Sequence, residues 1–307
     1  MGHEQGNAGA DTGRNGPPFA YLIINADDFG YSEGVSRGIL EAAAQGVVTA
    51  VGILANSPFF EDHLARLRSV EGVDAGVHLN LSAGRPLTER LAALLKRSGG
   101  EFPRTKFGTA FSVLAGRIGL DLIEAEWDAQ IRRCRDARVP VRFLNSHEHI
   151  HMLPPLYRLV RRLADRHGIS FIRHTEAEWF DFRRLSGIPR EAILHALDRL
   201  DRRLSPGGGP SLIGVSRTGK IDRTYLTRRL ASLRRGCVYE LMCHPGRPVP
   251  GEIPDRGLAA YHDWEGELDA LLAAKASGLL DRGAVRLRRF RDPEAAMTVA
   301  ERGVARW

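Results

Sequence analysis

The sequence lacks most of the features that would place it in a specialised class. Its three cysteines (Cys134, Cys237, Cys243) are odd in number and form no C-x-x-C pair. That argues against a disulfide framework and for a reducing compartment. No apolar run approaches the roughly 18 residues a membrane span requires. The Gly-rich, polar stretch 1–19 has no apolar segment of the kind a secretory signal needs and reads as a flexible tail. A cytoplasmic protein is the expectation. There is no G-x-G-x-x-G dinucleotide fingerprint, no G-x-S-x-G nucleophile elbow, and no internal repeat. Aromatic residues are only 7% of the chain, and few interleave with the arginine pairs Arg132-Arg133, Arg161-Arg162, Arg202-Arg203 and Arg228-Arg229. The net charge of +7, from 44 basic and 37 acidic residues, therefore reads as solvated helix surface, and nucleic acid is not an expected partner.

What is present suffices for one large domain. The chain has 307 residues, 43% of them hydrophobic, and no linker splits it. The domain is taken as 20–292, with 293–307 as a C-terminal extension. An apolar run from Tyr21 to Ile24 leads into Asn25-Ala26-Asp27-Asp28-Phe29-Gly30. Its β-branched and aromatic residues predict a buried strand. Ser32 predicts a helix N-cap, Val35, Ile39, Leu40 and Ala43 an apolar face, and Gly46 the helix end. Further strands are predicted at Val47–Leu54, Val73–Leu79, Val139–Leu144, Ile169–Ile172, Ser211–Val215, Cys237–Cys243 and Ala284–Leu287. Helices are predicted at Phe59–Val70, Asp121–Arg138, Pro155–His167, Asp181–Ser205, Tyr225–Leu233 and Gly266–Gly278. The irregular segment Ser82–Phe111 is a candidate lid. This alternation gives an α/β class: a single-domain, distorted (β/α) barrel, TIM-barrel-like, with seven or eight parallel strands.

Barrel chemistry gathers at the C-terminal ends of strands. Asp27, Asp28, His78, His147, Arg173 and His244 all fall at such ends. A solvated turn would explain any one of them, but not their shared position. Two imidazoles and a carboxylate form a facial set for a divalent cation. Adjacent strand residues point to opposite faces, so the two aspartates cannot duplicate each other. One can hold the cation while the other acts as general base. His244 is the candidate acid, since imidazole titrates near neutrality. Within Ser146-His147-Glu148-His149-Ile150-His151, a helical turn would put His151 on the face of His147, and an extended chain would align all three histidines. Either way one nearby histidine, with His151 the candidate, could be a further ligand or a substrate contact. Arg173 could orient a carboxylate, bind sugar oxygens, or serve in a salt bridge. Asn80, at the end of the third strand, joins Arg173 and His151 as a candidate substrate-binding residue. The parts describe metal-assisted hydrolysis of an amide or ester without naming the substrate.

Four stretches taken together resemble the YdjC-like carbohydrate deacetylases. They are Asn25–Gly30, Gly76-Val77-His78-Leu79-Asn80-Leu81, Ser146–Pro154, and Glu240-Leu241-Met242-Cys243-His244-Pro245-Gly246. The resemblance spans roughly Tyr21 to Phe290 and includes Val48-Thr49-Ala50, Ala55-Asn56 and Arg217-Thr218-Gly219-Lys220. It implies a distorted (β/α) barrel that removes an acetyl group from an N-acetylated sugar, carried on an oligosaccharide or a glycolipid. It implies a divalent metal, Mg2+ first and Zn2+ or Mn2+ as alternatives, on Asp28, His78 and His147. It further implies Asp27 as base and His244 as acid. Many members have Asp where this chain has Asn145, a position able to support a ligand histidine. The expected partner is the N-acetylated carbohydrate, with a homodimer as an option. Another metal-assisted sugar reaction such as isomerisation, or carbohydrate binding without catalysis, are the rival readings.

Overall fold

The computed structural model describes residues 17–102, 108, 112–113, 115–174, 209–253, 255–281 and 284–293. The predicted helix Asp181–Ser205, most of the 1–19 tail and nearly all of the 293–307 extension lie outside the described residues.

The long first strand β1 (Ala20–Phe29) is buried throughout. It is followed by helix α1 (Glu33–Ala44), β2 (Ala50–Ile53), α2 (Phe60–Arg68), β3 (Asp74–Leu79) and α3 (Glu89–Leu94). Then come α4 (Leu120–Asp136), β4 (Val141–Ser146), α5 (Pro154–His167), β5 (Phe171–Ile172) and β6 (Ser211–Ile213). The chain continues through α6 (Arg223–Ala231), β7 (Val238–Cys243), α7 (Arg256–Tyr261), α8 (Trp264–Ala276) and β8 (Val285–Leu287). Local chemistry sets the helix ends. The Ser32 hydroxyl accepts from the Val35 N–H at the start of α1, and left-handed Gly168 closes α5. No helix among the described residues is long and apolar enough to cross a membrane.

Seven strands run in the order β5-β4-β3-β2-β1-β7-β6, all pairings parallel, and β8 pairs with the start of β1. The sheet curls into a distorted, open (β/α) barrel. Arg173, just past edge strand β5, reaches across it to Asp27 on β1 and Glu240 on β7.

Side chains alternate along a strand, and here the alternation builds layers inside the curl. Leu22, Ile24 and Ala26 join the main core that packs against the helices. Tyr21 and Ile23 face the other way, with Ala50, Phe143, Val238 and Phe290. Phe143 and Phe290 stack at 4.4 Å and plug the barrel floor. Gly76 leaves the room this plug needs, because a Cβ there would lie 2.5 Å from the Phe143 ring. Two residues further up each strand the plug gives way to polar groups: Asn25 above Ile23, His78 above Gly76, Asn145 above Phe143, Glu240 above Val238.

Candidate metal centre and active site

Burying four polar groups in a barrel is costly unless they satisfy one another. Here they do. The Asn25 amide donates to Glu240 Oε1 at 2.8 Å. The Arg173 guanidinium donates to the same oxygen through Nε and Nη2 at 2.8 and 2.5 Å. Its other edge grips Asp27, with Nη1 to Oδ2 at 2.5 Å and Nη2 to Oδ1 at 2.9 Å. Asn145 donates its amide to Asp27 Oδ1 at 2.9 Å and accepts from His78 Nδ1–H at 2.8 Å. His78 and Asn145 are register partners on β3 and β4, so the sheet itself makes this contact.

Because the His78 Nδ1–H donates to Asn145, Nε2 is turned toward Asp28 Oδ1, 3.1 Å away. His147 Nδ1 meets the same oxygen at 2.7 Å. Asp28, His78 and His147 each offer one ligand atom, and all three atoms lie within 4.8 Å of one another. Two imidazole nitrogens aimed at one carboxylate oxygen form a donor set that a divalent cation fits. Asp28 gets there by a backbone departure. The β1–β2 register shifts between Ala26 and Phe29, and Asp28 has φ 68°, a left-handed value rare for a side-chain-bearing residue. The bulge lets two adjacent aspartates serve one site from different directions.

Neighbouring cations hold both aspartates below the usual carboxylate range. Burial raises Asp27, but Arg173, His78 and His244 outweigh it and hold the group below the usual carboxylate range. Asp28 is likewise raised by burial and pulled well below that range, by His147 first and His78 second. Burial lowers His147, yet Asp28 lifts it to about 9. Three of the roughly four acceptor positions on the Asp27 carboxylate are taken, which leaves one for a ligand.

His244 lies just past the end of β7, buried, and its Nδ1 has no hydrogen-bond partner among the described residues. Its backbone N–H donates to Glu267 Oε2 at 2.6 Å, and that oxygen lies 4.0 Å from Nδ1. Burial pushes His244 below the ordinary histidine value against the pull of Asp28 and Asp27. Burial also lifts Glu267 to about 8, although the N–H groups of His244 and Ile221 donate to it.

The other expected contacts stand differently. Segment His147–Met152 is neither the extended strand nor the plain helical turn considered above. It is a 3-10 stretch in which Glu148 and His149 are left-handed, at φ 57° and 56°. That turn carries His151 away from His147. His151 Nδ1 accepts from Ser146 Oγ at 2.5 Å, and Nε2–H donates to the Arg173 carbonyl at 3.0 Å. Both ring nitrogens are engaged within the fold, and burial lowers the group to about 3. Arg173 sits in the Asp27–Glu240 network. Asn80 accepts from the Ser82 and Ala83 N–H groups and donates to Asn56 and Ala83, so it shapes the loop after β3. Two residues escaped the sequence reading. Glu240 left a signal, a lone acid inside an otherwise apolar strand. Glu267 left none, since an acid in a helix with acidic neighbours looks solvated. Tyr31, with its ring centroid 5.9 Å from that of His147, also borders the site.

The family model described as YdjC-like protein matches residues 21–282. A protein named carbohydrate deacetylase from Geobacillus stearothermophilus is 33% identical over 285 residues, covering 92% of this chain and 94% of that one. One of the same name from Mus musculus is 30% identical over 298 residues, 88% and 94% of the two chains. Among solved structures, a putative cellobiose-phosphate cleavage protein from Enterococcus faecalis superposes with TM-score 0.68 at 22% identity, over 89% of this chain and 98% of that one. At that identity the likeness shows a shared fold.

Proposed function

The chain belongs to the YdjC-like family, and from that premise we propose that it is a metal-dependent hydrolase that removes the acetyl group from an N-acetylated sugar. One observation carries the reading. The ligand atoms of Asp28, His78 and His147 converge beside a second carboxylate, Asp27, that is fixed by arginine and keeps a free acceptor position. The names of the relatives support the sugar amide as the bond.

A divalent cation on Asp28, His78 and His147 supplies Lewis acidity that polarises a carbonyl and lowers the pKa of water. Asp27 takes the proton of the attacking water. It is ionised at neutral pH, and the bidentate Arg173 holds it in one orientation. His244 delivers a proton to the departing amine. Burial works against the charged imidazole, while Asp28 and Asp27 favour it. Asn25, Asn145 and Glu240 beneath the site are buried, and a low local dielectric strengthens these interactions. Two imidazoles with a single carboxylate suit zinc or manganese as well as the magnesium that the resemblance suggests. Three free, buried cysteines suit the cytoplasm.

The test is acetate release from N-acetylated monosaccharides, oligosaccharides and an N-acetylglucosaminyl lipid, with chelator and then with each metal. Asp27→Asn is expected to lose at least about 100-fold in kcat, the scale of one general base, while still binding metal. Turnover without acetate would favour another sugar reaction such as isomerisation. Binding without turnover would favour a carbohydrate-binding protein.

A further inference from the structure

Two fully buried polar residues of α4, Glu126 and Gln130, take no part in the chemistry above. They lie four apart and so share one face of the helix. That face meets the loop that follows β3. Gln130 Oε1 accepts from the Asn80 N–H at 2.9 Å, and its amide donates to the Asn80 carbonyl at 2.9 Å. Glu126 accepts from the Leu87 and Thr88 N–H groups at 2.9 Å each. It also accepts from the Thr88 hydroxyl at 2.8 Å and from the Gln130 amide at 2.9 Å. Four donors fill the roughly four acceptor positions of a carboxylate. Both ends of the loop are thus pinned to one helix, one turn apart.

Between those ends apolar packing does little. Among the described residues of 81–88, Leu81 alone is a buried apolar side chain. Asn56, in the loop after β2, instead donates to the Ala83 and Arg85 carbonyls at 2.9 Å each. The loop stands at the mouth of the site. Asn80 is two residues past His78. Ser57, beside Asn56, donates its hydroxyl at 2.6 Å to the carbonyl of Gly30, two residues past Asp28. His78 itself is already oriented by Asn145, so the grip of α4 serves the loop rather than the ligand.

We propose that Glu126 and Gln130 are positioning residues that hold loop 80–88 as a preformed wall of the sugar site. This rests on the deacetylase reading above. A loop with few apolar anchors loses conformational entropy if the ligand has to order it, and that loss weakens binding. Main-chain groups gripped in advance by α4 remove it. The pair acts on KM rather than on kcat, because it touches neither the cation ligands nor Asp27 or His244.

Gln130→Met keeps the length of the side chain without its hydrogen bonds. KM for N-acetylglucosamine, or for the sugar that releases acetate fastest, is expected to rise about tenfold, the scale of a buried hydrogen-bonding group left unpaired. Expected kcat and metal affinity stay within about twofold of wild type, the signature of lost uniform binding. Thr88→Val removes only the hydroxyl contact to Glu126. It is expected to move KM the same way by less, and it serves if Gln130→Met does not fold. Hydrogen exchange gives a readout that stability alone does not move. In the wild type the Asn80, Leu87 and Thr88 amides are expected to be protected with or without N-acetylglucosamine. In the variants they are expected to exchange freely until the sugar binds. A lower melting temperature with unchanged KM and no sugar-linked protection overturns the proposal, as does a loss confined to kcat or to metal affinity. Sugar-linked protection without acetate from any sugar upholds the positioning role and sinks the deacetylase reading alone. Acetate release with KM unchanged in the variants overturns the positioning role alone.

Discussion

Asn145 joins the two halves of the site, with its carbonyl oxygen on His78 and its amide on Asp27. The aspartate that the family resemblance leads one to expect here would set a carboxylate against Asp27. Asparagine donates to it instead, without adding a charge. Asn145→Leu frees the His78 ring, and divalent-metal affinity is expected to fall roughly 10- to 100-fold, as when other supports of a ligand histidine are removed. Competition with a chromogenic chelator measures it, and wild-type affinity in that variant would mean that His78 is oriented by something else. The sequence identified Asn145 as a departure from a pattern but gave no hint of its double contact. That contact depends on register, which pairs His78 with Asn145 across two strands.

At the scale of elements, α1 and the loop that carries His244 are fitted backbone to backbone. The Arg247 N–H donates to the Gly34 carbonyl at 2.8 Å, and Glu252 accepts from the Gly34 N–H at 2.6 Å. A Cβ on Gly38 would lie 2.4 Å from Gly246 Cα. Alanine is the better helix former by about 1 kcal/mol, but here it collides with main chain that cannot rotate aside. Gly38→Ala is expected to cost about 1–3 kcal/mol in chemical denaturation. It should also lower kcat while leaving metal affinity intact, because it moves His244 and not Asp28, His78 or His147. The elements themselves were largely legible. Observed strands fall inside or within a few residues of the predicted ones, because parallel strands buried on both faces read as apolar runs. Helix α7 was not legible, since none of Arg256–Tyr261 is fully buried and six residues leave no apolar periodicity.

For the molecule as a whole, a buried cation held between two buried acids ties β1, β5 and β7 together. Arg173→Met leaves Asp27 and Glu240 without their cation. An uncompensated buried charge costs on the order of 3–5 kcal/mol, to be read in a shifted urea midpoint. Acid should unfold the protein through a different group. His151 is held at about 3 in the fold against an ordinary 6.5. Above 6.5 it is neutral folded or unfolded. Below that the unfolded chain takes up a proton that the folded chain refuses, so stability falls as pH drops from about 6.5 toward about 3. His151→Gln is expected to melt below the wild type at pH 8, having lost packing, but to lose less of its Tm between pH 7 and 4. Parallel slopes for the two proteins would rule His151 out as the cause.

The sequence by itself determined the alternating strands and helices, the parallel sheet, and the collection of Asp27, Asp28, His78, His147, Arg173 and His244 at strand ends. Those features are local, set by apolar runs, caps and the rule that strand ends share a face of the barrel. Only the tertiary structure decided what each polar group contacts. Arg173 binds Asp27 from the far edge of the sheet, and His151 is turned inward by two left-handed residues. Glu267 comes to His244 from a helix 23 residues later in the chain. Such contacts depend on curl, register and positive φ. Periodicity carries none of these, because each arises where distant segments must satisfy one another's buried charges and hydrogen bonds.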